Sequence, residues 1–291
     1  MTHQACPACG GAVPARAGQS ASMASVSIGS SRRQARAVEM SVCPSCGLGF
    51  QDPRPTAEEL SALYASLVDE AYTDETGPRR LAASLSARLL RHYAGATRGR
   101  LLDVGCATGI FLDAAVRDGW QVEGVEPSDY LRASALASVR DRIQPGVFTD
   151  VAADSPRDVV TFWDVLEHVD DPRGTLAHAA ELLRPGGLLV VNVPDRSSVL
   201  ARAFGDRWPL LLPEHLYYFT PGSLGTLLRS LGFEPLGTHL HPVFFRLHYV
   251  LHRLTQHLPD LAALDWLSRS ALGDVPVPLL MGEVTMVARR G

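Results

Sequence analysis

Lysine is absent: all 27 Lys and Arg positions of this 291-residue chain are arginine. Chemistry that depends on a side-chain amine is therefore excluded. That covers Schiff-base formation, pyridoxal phosphate anchored on lysine, the lysine-bearing phosphate loop and the kinase lysine. Long apolar runs are also missing. None approaches the ~20 residues that a membrane-spanning helix needs, and residues 1–30 carry Cys6 and Cys9 where a secretory signal would hold its apolar stretch. A cytoplasmic protein is expected, in which paired cysteines serve metal or redox chemistry sooner than disulfides. An excess of positive charge is lacking too. A formal net charge of −4 and a pI near 6.2 argue against a dedicated nucleic-acid binder. What remains, 46% hydrophobic and 20% charged residues, is the balance of a soluble globular protein with one large domain and one small one.

Four of the five cysteines form two matching knuckles, Cys6-Pro7-Ala8-Cys9-Gly10 and Cys43-Pro44-Ser45-Cys46-Gly47. Each turn points two thiolates at one centre, so Cys6, Cys9, Cys43 and Cys46 together supply the four soft ligands of a closed structural zinc site. The Ser-, Ala- and Arg-rich insert from Ala17 to Arg36 reads as a long hairpin tip, and the module as a whole spans residues 1–55.

Pro53-Arg54-Pro55 ends that module, and Thr56 with Glu59 makes a capping box for a helix through Leu60, Leu63, Tyr64 and Leu67. A second helix is expected from about Pro78 to Tyr93, with Leu81, Leu85, Leu89 and Leu90 on its apolar face. Residues 56–95 thus read as a helical cap. Thereafter short apolar runs alternate with amphipathic stretches, the pattern of an α/β domain over residues 96–291 with a parallel sheet covered on both faces. Strands are expected at Arg100–Val104, Gln121–Val125, Arg142–Phe148, Asp158–Trp163, Gly187–Val193, Glu234–Leu240 and Glu283–Ala288, with helices opening near Gly109, Ser128, Pro172 and Pro221.

In Leu101-Leu102-Asp103-Val104-Gly105-Cys106-Ala107-Thr108-Gly109 a strand runs through a tight turn into a helix. Small residues at 105, 107 and 109 let the backbone approach a ligand at the strand's carboxyl end. The next strand ends in Glu126, a carboxylate able to accept both hydrogens of a ribose diol. A dinucleotide and a single nucleoside fit this spacing equally.

Taken with Glu126-Pro127-Ser128, Asp164-Val165-Leu166-Glu167-His168-Val169 and Leu183-Arg184-Pro185-Gly186-Gly187, that stretch resembles the ordered motifs of class I S-adenosylmethionine (SAM)-dependent methyltransferases. The spacing is similar to that of the branch containing the ubiquinone-biosynthesis O-methyltransferases. Cys43 to Pro55 and Pro213-Glu214-His215-Leu216-Tyr217-Tyr218-Phe219-Thr220 resemble a zinc-ribbon subgroup among sugar and natural-product methyltransferases. The resemblance implies a Rossmann-like seven-stranded methyltransferase sheet, SAM as cofactor, an acceptor loop at 194–220 and a C-terminal lid at 239–280. It places Gly105 and Gly109 along the methionine part of SAM, Asp103 at its amino group, Glu126 at its ribose, Phe148 and Asp150 at its adenine edge, and Asp164 at its sulfonium end. Ala107 departs from the family's usual glycine, and its methyl would strain a turn that needs positive φ.

Removing a proton from an acceptor at neutral pH suits histidine. His215, flanked by Glu214 and Tyr217 in a loop like that of the sugar C-methyltransferases, is expected to be the general base. Asp164, Glu167 and His168 could hold Mg2+, as the ubiquinone-type relatives do with a similar segment; alternatively, Glu167 and His168 only fix the loop. His239 with His241, and His248 with His252, complete no ligand set and read as solvated or lid positions. The stretch from Val243 to Leu258 reads as a substrate lid or dimer face. The expected partner is a small-molecule acceptor, with a second copy of the chain or a carrier or biosynthetic protein as further partners. A zinc-ribbon RNA methyltransferase and a non-catalytic SAM-binding scaffold stand as alternatives.

Overall fold

The computed structural model describes residues 4–13, 19–21, 38–52, 76–96, 98–153, 155–257 and 270–291. The helix expected after Thr56, most of the hairpin tip and residues 258–269 of the lid lie outside these residues.

The cysteine knuckles each sit beside a short antiparallel pairing. Strand β1 (Gln4–Ala5) pairs with β2 (Ala12–Val13), and β4 (Val38–Val42) lies between β3 (Gln19–Ala21) and β5 (Gly49–Gln51). Both knuckles close in the same way: Cys6 N donates to Gly11 O and Gly10 N to Cys6 O, just as Cys43 N donates to Leu48 O and Gly47 N to Cys43 O.

Helix α1 (Thr76–Ala94) leads into the main sheet. Leu81 and Leu85, expected on its inner face, are exposed, while Ala83, Ser86, Ala87 and Leu90 are buried. The small side chains at 83, 86 and 87 keep helical spacing and let α1 lie close over the sheet, which long leucines would prevent.

The main sheet follows the expected alternation. Strands β6 (Arg100–Val104), β7 (Gln121–Glu126), β8 (Ile143–Pro145), β9 (Arg157–Trp163) and β10 (Leu183–Pro194) are joined through α2 (Ile110–Arg117), α3 (Asp129–Ala133) and α4 (Pro172–Leu182). After α5 (Val199–Phe204), the two-residue β11 (Tyr217–Tyr218) and α6 (Pro221–Ser230), strands β12 (Phe233–Arg246) and β13 (Pro276–Arg290) complete it, with α7 (Leu247–His257) between them. The order is β12-β13-β10-β9-β6-β7-β8, with β13 antiparallel to both neighbours and β10, β9, β6, β7 and β8 mutually parallel. Caps mark the expected helix starts: Ser128 accepts from Leu131 N, Asp171 precedes Pro172, and Thr220 and Ser223 form a reciprocal box.

Strands β8, β12 and β13 differ from expectation. β8 stops at Pro145 because Gly146 turns at φ +123 into a 3-10 segment at Phe148–Asp150. β12 and β13 outrun the sheet as an antiparallel ribbon, with a register shift between His241 and Val243 where Pro242 cannot donate to the ladder.

The apolar faces separate cleanly. Leu102, Val104, Val160, Phe162, Leu189 and Val191 pack with α4, α6 and the cysteine module in one core cluster. Leu101, Val159, Leu188, Val190 and Val287 face α1 and α2 in another. On this second face the sheet turns polar at the edge where the parallel strands end, with Asp103, Thr161, Asn192 and, from the antiparallel β13, Thr285 and Glu283 all buried. The five pair among themselves, Thr161 with Asp103 and Asn192 with Thr285 and Glu283, which avoids the cost of about 1–3 kcal/mol for each buried polar group left unpaired and marks the place where the sheet gives up packing for chemistry.

Candidate active site and metal centre

A cavity of about 310 Å³ opens at this polar row, at the carboxyl ends of β6 and β9 where open α/β sheets take their ligands. Asp103, Gly105, Ala107 and Asp164 line it, and so do Arg79, Phe111, Trp163, His241, Phe244, Phe245 and Glu283. The glycine-rich turn is built for close approach. Gly105 has φ +65, and a Cβ there would meet Val165 at 2.7 Å. Gly109 (φ +77) starts α2, where a Cβ would meet Val139 at 2.6 Å; it shapes the turn without lining the cavity. Ala107 has φ +48, so the turn does need the conformation that its methyl disfavours.

Glu126 holds this turn from behind. Its Oε2 accepts from Ala107 N at 2.9 Å and its Oε1 from Ser128 N at 2.8 Å. Burial raises its pKa, against the two amides. Asp103 Oδ1 accepts from Thr161 Oγ1 at 2.6 Å, and burial with the nearby Glu126 pushes its pKa up to about 7 although Thr161 opposes the shift. Asp164, at φ +55, accepts on Oδ1 from Asn192 Nδ2 at 2.6 Å. Asn192 Nδ2 also reaches Glu283 Oε2 at 3.4 Å, and Asn192 Oδ1 accepts from Thr285 Oγ1 at 2.8 Å. Burial, with Asp164 adding repulsion, raises the Glu283 pKa well above the carboxylate range.

Phe148 and Asp150 do not line the cavity. Phe148 is buried edge-on to Phe162, and Asp150 is exposed, with Oδ2 accepting from Val147 N.

His215, Glu214 and Tyr217 also lie outside the lining. His215 is 5% exposed; its Nδ1 donates to Leu210 O at 2.9 Å and its ring stands edge-on to His168. Burial and the neighbouring His168 lower its pKa well below the usual value. The Glu214 carbonyl accepts from His168 Nδ1, and the Tyr217 hydroxyl donates to Asp170 O. The trio Asp164, Glu167 and His168 expected for Mg2+ is not assembled. Asp164 turns to Asn192, whereas candidate ligand atoms of Glu167 and His168 gather with His215 within 4.8 Å of one another. Both Glu167 oxygens are buried without a hydrogen-bond partner among the described residues, and burial, with Asp164 adding repulsion, raises its pKa well above the usual value.

The four cysteines converge as expected. Their sulfurs lie within 4.8 Å of one another, with Cys6 to Cys46 at 3.5 Å and Cys9 to Cys43 at 3.6 Å. A zinc tetrahedron with bonds of ~2.3 Å has sulfur–sulfur edges of ~3.8 Å, so the cluster fits a zinc module. It is joined to the main domain. Arg173 donates to Pro7 O and Ala8 O, β11 pairs with β5, and Gln51 Nε2 donates to Pro213 O at 2.7 Å and His215 O at 3.0 Å.

Arg79, Trp163 and Glu283 line the cavity without belonging to a sequence motif, and His241, expected as a solvated or lid position, lines it with them; Asn192, Glu283 and Thr285 interrupting apolar strands are the signal of this site in the sequence. Among the described residues no helix is long and apolar enough to cross a membrane.

Residues 74–237 match the family model described as a methyltransferase domain. The ubiquinone biosynthesis O-methyltransferase of Bordetella pertussis is 32% identical over 207 residues, covering 65% of this chain and 84% of that protein. The homologue of Saccharophagus degradans is 32% identical over 164 residues, covering 52% of this chain and 70% of its own. The fold is shared with the 1,6-didemethyltoxoflavin-N1-methyltransferase of Burkholderia thailandensis, at TM-score 0.53 and 17% identity, over 87% of this chain and 95% of that one. A SAM-dependent methyltransferase of Thermotoga maritima aligns at TM-score 0.52 and 20% identity, over 80% of this chain and 100% of that one. With the sheet order, the glycine-rich turn and the cavity beside it, these matches make the chain a member of the class I SAM-dependent methyltransferases.

Proposed function

We propose that this enzyme methylates an oxygen or carbon of a small, planar natural-product intermediate, with a quinone- or phenol-like acceptor favoured over a sugar. The wall of the cavity carries this reading: Phe111, Trp163, Phe244 and Phe245 enclose a space flanked by Asp103, Asp164, His241 and Glu283. Aromatic walls with a small set of polar groups orient a flat ring and shed water from it. The Bordetella pertussis relative, an O-methyltransferase of ubiquinone biosynthesis, points the same way.

The residues present suit the cofactor. A buried Asp103 carboxyl faces the cavity beside a turn open to close backbone approach, and would hold the amino group of SAM. Glu126 would accept the ribose hydroxyls on the lone pairs its two amide bonds leave free. Asp164 would face the sulfonium end. When bound, the cofactor supplies an already activated methyl group, so the protein's part is alignment, exclusion of water and removal of one proton.

His215, Glu214 and Tyr217 enter this reading as positioning residues. Their backbone carries the loop that Gln51 and β5 clamp, which gives zinc in the four-cysteine cluster a route to the acceptor side. Transfer of labelled methyl from SAM to 3,4-dihydroxybenzoate, set beside sugar acceptors, tests the assignment, with S-adenosylhomocysteine binding followed by calorimetry. Transfer to the catechol supports it. Tight binding without transfer to any acceptor would replace it with the scaffold reading.

A further inference from the structure

Thr285, Asn192 and His241 form a connected polar chain that the family assignment leaves without a role. Thr285 and Asn192 are fully buried, and the three residues come from three different strands. Strand pairing brings them together: Asn192 sits opposite Thr285, and His241 opposite Glu283.

Each bond in the chain fixes the direction of the next. Asn192 directs its Nδ2 at the carboxyls of Asp164 and Glu283, which leaves Oδ1 to accept the Thr285 hydroxyl proton at 2.8 Å. With its proton committed, Thr285 Oγ1 can meet His241 Nδ1, 3.1 Å away, only as an acceptor. The His241 ring proton therefore sits on Nδ1. Nε2 keeps its lone pair, has no partner among the described residues, and belongs to a ring lining the cavity against Trp163. We propose that His241 is the proton acceptor of the methyl-transfer site, held in the competent tautomer by Thr285 and Asn192 as positioning residues. This rests on the reading of the cavity as the acceptor site.

The step balances within the site. The acceptor O–H bond breaks, its proton forms an N–H bond at Nε2, and its electron pair stays on oxygen to bond the incoming methyl carbon, while the C–S pair departs on sulfur. The charged ring then returns the proton to water. The charged and titratable groups that line the cavity with His241 are Asp164 just after β9, Glu283 from β13, Arg79 from α1, Asp103 from β6 and Cys106 in the turn after it. Burial lowers the pKa of His241 and Asp164 raises it, which keeps the ring neutral before transfer and helps it to hold the proton afterwards.

Two measurements on the full chain with S-adenosylhomocysteine test this. Two-bond 1H–15N spectra of histidine-labelled protein, assigned by the signal lost in His241→Gln, should show a neutral ring protonated on Nδ1 at about pH 7.5. Thr285→Val should mix the tautomers and Thr285→Ser should restore the single one. A proton on Nε2 in the wild type, or no change in Thr285→Val, overturns the proposal. Absorbance of bound 4-nitrocatechol reports proton transfer directly. The probe should bind as the phenolate to wild type, and its apparent pKa should rise by about one unit or more in His241→Gln. Equal ionisation in both proteins overturns His241 as the acceptor. If wild type binds no 4-nitrocatechol, the phenol-type acceptor reading fails instead, and the tautomer alone decides the assignment of His241.

Discussion

His241 and His215 are both ring-donors to a neighbouring oxygen, yet their surroundings differ in kind. Around His241 each polar group hands its bond to the next, from Asn192 through Thr285 to Nδ1, and the chain ends at a cavity. Around His215 the bonds end on backbone carbonyls, and the buried Glu167 carboxyl has no hydrogen-bond partner among the described residues. The first region presents a reactive atom to a ligand. The second fastens a loop to the cysteine module. Two histidines at the same sheet edge thus separate by where their second nitrogen leads and not by their neighbours in sequence.

If binding belongs to the cavity side, the largest loss should come from the turn that borders it. Glu126→Ala removes the acceptor of both Ala107 N and Ser128 N. The two ribose hydrogen bonds proposed for its carboxylate would contribute roughly 1.5–3 kcal/mol each, so their loss should lower S-adenosylhomocysteine affinity at least ~100-fold by calorimetry. An unchanged Kd would detach the nucleoside from this turn. His215→Ala should act on the other quantity. Removing a ring packed against His168 and Tyr218 should lower unfolding free energy by about 2–3 kcal/mol in urea while leaving that Kd in place. Full stability with transfer abolished would return the base to His215 and collapse the comparison.

The carboxyls offer a milder test. With its pKa pushed up to about 7, Asp103 is substantially protonated in the ligand-free protein at neutral pH and below. An ammonium group on the ligand needs the ionised form, so binding expels a proton. Affinity should then be level above about pH 7 and weaken by about tenfold per unit below it. Titrations in buffers of different ionisation enthalpy would count the proton released. Pairing through the protein alone, with no proton released at pH 6, would move the amino group elsewhere.

What could be read from the sequence follows the range of the determinant. The knuckles at Cys6 to Gly10 and Cys43 to Gly47 are local turns, and the route from Asp103 through the glycines to Glu126 is one βαβ unit, so spacing alone marks the cysteine cluster and a ligand site at the turn, while the choice of SAM over a dinucleotide comes from the family resemblance. Helix starts at Ser128, Pro172 and Pro221 were visible for the same reason. The His241 relay was not, because it exists only through the register of β13 against β10 and β12, which are joined by long connections. Leu81 and Leu85 misled for a related reason. Hydrophobic periodicity identified α1, but the side that packs was chosen by how closely the helix approaches the sheet, and that favoured alanine and serine.

The smallest expected effect lies in the turn itself. Ala107 and Asp164 are the two non-glycine residues at positive φ among those described, and both border the cavity. An L-residue held there costs about 1–2 kcal/mol, more for alanine than for aspartate, whose side chain bonds locally. Ala107→Gly would relieve that strain but loosen the unfolded chain by roughly 0.5–1 kcal/mol. The net gain should therefore be only a few tenths of a kcal/mol up to ~1 kcal/mol, a rise in Tm of at most ~4 °C for a domain of this size. Because Ala107 N is anchored on Glu126 in either case, S-adenosylhomocysteine affinity should improve by no more than about fivefold. A larger gain in affinity than in stability would mean that the methyl obstructs the ligand and not the backbone. A loss of both would show that the alanine contact is itself part of the site.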